Sequence, residues 1–183
     1  MEREQALKLV KENVSKGNLV KHMLAVEAAM AALGDRLSGD VEKWAMAGLL
    51  HDLDYDQTEN DFPRHGLLSA EILEQHGVDP EIVRAVKAHP AHENCLPSSK
   101  MDWALYSVDG LTGLIVAAAL MHPDKKLKSL DTAFVLRRFD EKRFSAAVDR
   151  EQIKECSRLG LELDEFVEIT LKAMQDISEQ LGL

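Results

Sequence analysis

The sequence predicts an all-α helical bundle, and three observations carry that prediction. Gly supplies only 10 of the 183 residues and Pro only 5, with neither present between 124 and 159, so the breakers that punctuate short strands and turns are scarce. Apolar residues recur every three to four positions through most of the chain, the spacing of one helix face. Period-two alternation, which a half-buried strand requires, is nearly absent.

The elements follow in order. Ala6, Leu7, Val10 and Val14 form the inward face of a first helix. Asn18 is suited to cap a second, because its side chain can accept from the free amides of a first turn; Leu19, Met23, Val26, Met30 and Leu33 then make one broad apolar stripe. Gly34 or Gly39 ends it. A third helix is expected over 40–53, with Val41, Trp44, Ala45, Gly48 and Leu49 inward, and the polar stretch DYDQTENDFP, the most acidic loop in the chain, breaks it. Further helices are expected over 64–75, 79–88, 101–120, 132–138, 149–158 and 163–181. No repeat and no low-complexity linker divides the chain. A single domain over 1–183 follows, with a main bundle over about 18–120 and a helical cap over about 121–183. Phe166, Ile169, Met174 and Ile177 form an apolar stripe near the C-terminus. It packs on the chain's own core or on a second subunit, leaving monomer and homodimer both open.

Composition narrows the function. At 45% hydrophobic and 30% charged residues the chain is too apolar for disorder and too polar for a membrane protein. A net charge of −10 repels the phosphates of extended nucleic acid and of anionic lipid, and neither is an expected partner. The first sixteen residues alternate charged and apolar positions, unlike a secretory signal. The longest apolar run, 111–121, contains Thr112 and Gly113 and is short of the roughly 20 residues that span a bilayer. A cytoplasmic location is expected. Cys95 and Cys156 stand alone and read as reduced structural thiols.

His51 and Asp52 are adjacent at the end of an apolar helix, in AMAGLLHDLD. Helix neighbours point about 100° apart, so both side chains reach one cavity only if that helix end is enclosed. Burying an imidazole and a carboxylate is costly without a partner, and a cation supplies one. Alone, the pair reads better as an ion-paired His and Asp at a helix end than as a metal site. Other residues shift the balance. His22 shares a face with Leu19, Val26, Ala29 and Leu33; His65 opens the helix RHGLLSAEIL and lines up with Leu68, Ser69 and Ile72. His89 follows Ile82, Ala85 and Val86, and Asp109 sits mid-helix among Leu105, Thr112, Gly113 and Val116. One histidine on an apolar face is usually a satisfied core residue. Four, with two aspartates, are better explained by convergence on metal.

The order His22, His51-Asp52, Asp109 resembles the H, HD, D signature of the HD superfamily of metal-dependent phosphohydrolases, an all-α fold. His65 and His89 resemble the two extra ligands of its dinuclear branch. The resemblance covers about 18–120, where RHGLLSAEIL and SVDGLTGLI look like that branch's helix start and its final Asp-bearing helix; beyond 120 the chain resembles only uncharacterised small hydrolases of the superfamily. It implies that His22, His51, Asp52 and Asp109 hold one metal, and that Asp52 bridges to a second completed by His65 and His89. Nitrogen and carboxylate ligands without thiolate suit Fe, Mn, Zn, Co or Ni, so two divalent transition-metal ions are the expected cofactors. Such a pair binds a phosphoryl oxygen and lowers the pKa of a bridging water, whose hydroxide attacks phosphorus. The implied activity is hydrolysis of a small anionic phosphate ester, nucleotides included. A metal-dependent nucleotide-binding module without turnover and a di-iron oxygenase of the same fold are the alternatives. Residue types do not separate a monoesterase from a diesterase.

Related dinuclear phosphodiesterases often carry a Lys shortly after HD, where this chain has Leu53, Asp54, Tyr55 and Asp56. Asp54 and Asp56 are candidates to protonate a leaving group or orient water, against a solvated acidic loop. His92, three residues after His89, is a candidate proton donor or substitute ligand, although Pro90 removes the helical geometry that would align the two. His76 reads as a helix C-terminal residue and His122 as a loop residue. The segment 124–150 carries +3 against −13 for the rest of the chain. It is either a basic rim that guides an anionic substrate or a solvated helical face. Arg64, Lys128, Arg138 and Lys142 are the candidate phosphate contacts.

Overall fold

The computed structural model describes residues 1–183, all in helices and the loops between them, with no strand. The helices are α1 (Arg3–Asn13), α2 (Gly17–Arg36), α3 (Val41–Leu50), the single turn α4 (Tyr55–Thr58), α5 (Leu67–Gln75), α6 (Pro80–Ala88), α7 (Lys100–Met121), α8 (Thr132–Asp140), α9 (Arg150–Lys154), α10 (Leu163–Asp176) and the short α11 (Ser178–Leu181). Acidic or hydroxyl caps start several of them: the Asp40 carboxylate accepts from Lys43 N (3.1 Å), Asp79 from Glu81 N (2.8 Å) and Asp131 from Phe134 N (2.6 Å). Ser99 and Asp102 close a reciprocal box on α7, Ser99 Oγ accepting from Asp102 N and Asp102 Oδ2 from Ser99 N, each at 3.1 Å.

Two packing features position the centre described below. The first is the crossing of α2 and α3. A Cβ on Gly48 would lie 2.7 Å from the Val26 carbonyl oxygen, so the helices approach this closely only because position 48 has no side chain. His22 lies one turn before Val26, and His51 follows Gly48 by three residues, so the crossing brings the two imidazoles together. The second is α7, with Leu105, Val108, Leu111, Leu114 and Ile115 fully buried. By length and composition α7 could cross a membrane, but α2, α6, α8, α9 and α10 pack around it. A helix covered on several sides is apolar all round for that reason.

One continuous apolar core runs from Ala6 to Leu181 and includes Val135, Phe139 and Ile153 from the segment beyond α7. Phe166 and Met174 are fully buried, while Ile169 and Ile177 pack against the core, so the C-terminal stripe is spent on the chain's own interior. The loop between α8 and α9 is organised by Arg150, whose guanidinium donates to the carbonyls of Phe139 (3.0 Å), Ser145 (3.0 Å) and Val148 (2.9 Å).

Local expectations change at several helix ends. α2 starts at Gly17, with Lys16 flanking it and no side-chain cap, so Asn18 is inside the first turn rather than the cap. Val41 is 39% exposed and not inward, whereas Trp44 is buried as expected and lies over Gly34 and Gly39. α5 begins at Leu67 and not at 64: Phe62–Arg64 form a separate 3₁₀ turn, and Gly66 adopts φ +76°, outside helical space. His65 therefore precedes the helix it was expected to open. The acidic stretch after Leu53 contains the turn of α4, the 149–158 helix becomes 3₁₀ at Glu155–Leu159, and the final helix is interrupted at Ile177.

Candidate metal centre

Four histidines converge in one tautomeric pattern. His51 and His89 each follow the last residue of a helix, α3 and α6, and their Nδ1–H groups donate to the carbonyls three residues back, Gly48 (2.8 Å) and Val86 (2.6 Å). The Nδ1–H of His65 donates to Asp54 Oδ1 (2.8 Å). The Thr112 hydroxyl donates to the Asp109 carbonyl (2.9 Å), so its oxygen accepts from the Nδ1–H of His22 (3.2 Å). A neutral imidazole that donates through Nδ1 carries a lone pair on Nε2. All four Nε2 atoms face inward in this state.

They are sorted by the two oxygens of Asp52. Oδ2 lies 3.5 Å from His51 Nε2 and 3.7 Å from His22 Nε2. Asp109 Oδ1 completes that group at 3.0 Å from His22 Nε2 and 3.7 Å from His51 Nε2. Oδ1 of Asp52 faces the other side, 3.4 Å from His65 Nε2 and 3.6 Å from His89 Nε2. Donors bound at about 2.1 Å to a common ion sit about 3.0 Å apart at right angles and about 3.4 Å apart in a tetrahedron, so these separations match ligands around a cation. The Nε2 atoms of His22 and His51 are 3.3 Å apart, and those of His65 and His89 are 3.1 Å apart. Facing lone pairs at such distances repel unless a cation or proton lies between them. His22, His51 and Asp109 form one compact metal-ligand triple, and His51, Asp52 and His89 a second that overlaps it.

The electrostatics agree with a site for positive charge. Burial alone would depress His51, yet the charges of Asp52 and Asp109 outweigh it and push its pKa up to about 9. His89 is pulled down, chiefly by burial. Burial would raise Asp52 and Asp109, but their imidazole partners, His51 first for Asp52 and His22 first for Asp109, hold both below the usual carboxylate range. Asp52, His51, His65 and His89 are buried, whereas the side chains of His22 and Asp109 are 23% and 29% exposed. The centre opens past those two.

The remaining candidates are placed elsewhere. Asp54 is fully buried, and besides His65 it accepts from the amides of Gly66 (2.8 Å) and Ser69 (3.0 Å) at the start of α5. Burial would raise it, but the hydrogen bonds from His65 and Ser69 hold it low. It orients a histidine, a role that neither proton donation to a substrate nor a solvated loop describes. Asp56 accepts from Ser15 N (2.7 Å) and Ser15 Oγ (2.6 Å), tying α4 to the loop before α2. His92 donates through Nε2 to the His65 carbonyl (2.8 Å) and lies against Phe62, supporting the His65 loop instead of joining the cluster. Arg64 is exposed, 3.9 Å from Asp61. Arg138 pairs with Glu141 (2.7 Å) and stacks on Phe134 and Phe144, while Lys128 and Lys142 are exposed. None of these four bonds to a cluster residue. Sequence reasoning missed the support supplied by Thr112 and by the Gly48 and Val86 carbonyls. The spacing of Thr112 three residues after Asp109, on the same helix face, is the signal that could have shown the first.

A family model described as HD domain matches residues 19–113, a stretch that contains all six inward-facing residues. Ribonuclease Y of Nitratidesulfovibrio vulgaris (strain DP4) is 29% identical over 96 residues, 52% of this chain and 18% of that protein. Ribonuclease Y of Geobacter metallireducens is 29% identical over 114 residues, 62% of this chain and 22% of that protein. An uncharacterized protein of Methanocaldococcus jannaschii is 36% identical over 94 residues, 49% of this chain and 54% of that protein. The matches thus span about a fifth of the length of the two ribonucleases and about half of the archaeal protein.

Proposed function

The chain belongs to the HD domain family, and from that premise we propose that it is a metal-dependent phosphohydrolase whose two-cation centre acts on a small phosphate ester. The observation that carries the proposal is the division of labour at Asp52, each oxygen facing the Nε2 atoms of its own pair of imidazoles. His22, His51, Asp52 Oδ2 and Asp109 would hold one cation; Asp52 Oδ1, His65 and His89 would hold the other. When bound, the cations supply Lewis-acid polarisation of a phosphoryl oxygen and a nucleophilic water at neutral pH. The protein's part is orientation. The Gly48 and Val86 carbonyls, Asp54 and Thr112 each hold one imidazole in the orientation that presents Nε2, so no ring must turn as a cation enters. The opening past His22 and Asp109 admits the ester, while the buried His65 and His89 side keeps bulk water from the opposite face.

The names of the two ribonucleases put phosphodiesters beside phosphomonoesters among the substrates to test. The net charge of −10 favours a compact ester over a long polyanion. The test is metal content of protein purified without added metal or chelator, followed by turnover of phosphomonoesters, cyclic and linear diesters and a short RNA. Two equivalents per chain with release of phosphate or of a phosphorylated product is the expected result, and Asp52→Ala should lose both. Retained turnover in that variant, or no metal after reconstitution with Mn, Fe, Co, Ni and Zn, would overturn the proposal. Iron with oxygen consumption and no ester hydrolysis would replace it by the oxygenase alternative.

A further inference from the structure

A cleft of about 340 Å³ adjoins the open side of the metal centre, sharing His22 with it. α7 lines it with Gly113, Val116 and Leu120, α2 with Lys21 and α11 with Leu181. Two features distinguish it from a packing defect. Gly113 lies in the interior of the 22-residue α7, where glycine weakens a helix. Packing does not require it: a Cβ built at Gly113 meets nothing within 4 Å, whereas one at Gly48 collides with backbone at 2.7 Å. A helix-interior glycine over open space lets something outside the chain approach the backbone closely. The second feature is Lys21, the one Lys or Arg in the lining, which forms no ion pair or hydrogen bond.

We propose that this cleft is the subsite for the organic group of the substrate, resting on the phosphohydrolase reading of the adjoining centre, and that the group is compact, uncharged and apolar or aromatic. The phosphoryl group sits over His22 and Asp109, and the organic group lies on Gly113 between Val116 and Leu120, with Lys21 near the anionic end. The volume is at the lower end of small-molecule sites, about 300–1,000 Å³. That accommodates one ring system. The single cation leaves no provision for a second phosphate.

Phosphonates separate binding from hydrolysis, because their C–P bond resists a hydrolase. Affinities of inorganic phosphate, methylphosphonate and phenylphosphonate are measured by calorimetry on Mn-loaded wild type and Gly113→Leu. In the wild type phenylphosphonate should bind about tenfold more tightly than methylphosphonate, the gain expected for burying a ring. In Gly113→Leu that advantage should vanish, with phosphate and methylphosphonate unchanged within about twofold and the metal content retained. Gly113→Ala controls for folding and should melt no lower than wild type. Equal affinities in the wild type, or an advantage that survives in Gly113→Leu, overturns the subsite alone. Failure of the Mn-loaded wild type to bind any of the three overturns the phosphohydrolase reading and the subsite with it.

Discussion

Asp54 shows how much of this centre depends on a residue that need not touch a cation. Its buried carboxylate is shared between the His65 imidazole and two amides at the start of α5, so removing it strands three donors and frees the His65 ring. Asp54→Ala is expected to cost about 2–3 kcal/mol in chemical denaturation and to lower the metal content from two equivalents to one. Unchanged stoichiometry would show that His65 does not depend on it. The two cysteines offer a second check. Cys156 is buried, and burial first, with the Glu162 charge second, pushes its thiol up to about 11. The reactive form is the thiolate, which is lost as pH falls below the pKa, so at pH 8 Cys156 stays a thiol. A native titration with a thiol reagent at that pH should count one group, Cys95, and a denatured one should count two. Two native groups would contradict the burial. Residue-scale legibility divides along the same line. His22, His65, His89 and Asp109 were readable because each breaks a local rule, a polar group set on an apolar stripe, and they gave the otherwise ambiguous His51-Asp52 pair its meaning. Asp54 was not, because an acid in an acidic loop breaks none.

At the scale of elements, the centre depends on how two helix ends and one helix middle meet. α3 and α6 stop one residue short of His51 and His89, and the Gly48 and Val86 carbonyls in their last turns become the acceptors that orient both rings. The α2 and α3 crossing at Gly48 then sets the distance between His22 and His51. Gly48→Ala forces Val26 away by several tenths of an ångström. It is expected to cost about 1–3 kcal/mol, as overpacking does, and to weaken metal binding with no ligand altered. The melting temperature and metal content of Gly48→Ala test this directly, and a variant as stable and as metal-rich as wild type would refute the crossing as the determinant. Most helices were legible from periodicity, yet their ends were not. Gly66 moved the start of α5 past His65, and Val41 stayed at the surface while Trp44 turned inward as its spacing predicts, because both departures follow from what each segment meets.

For the whole molecule, cations that bind the folded state alone stabilise it by mass action, by about 2.7 kcal/mol at a hundredfold excess over the dissociation constant. A chain of this size should then melt about 5–10 °C lower after removal of metal with a chelator, and re-addition should restore the loss. No shift would mean that the cluster is held by its own hydrogen bonds and not by a cation. The helical class and the order along the chain of the histidines and aspartates that converge were legible in the sequence, because helical periodicity and the cost of a buried polar group are local properties. Only the tertiary structure decided that Asp52 turns one oxygen to each pair of histidines, that Asp54 is buried, and that the open side passes His22 toward Gly113. Those depend on the angle and distance at which α2, α3, α6 and α7 pack, and packing is settled by contacts between residues as far apart as His22 and Thr112, which no local pattern encodes.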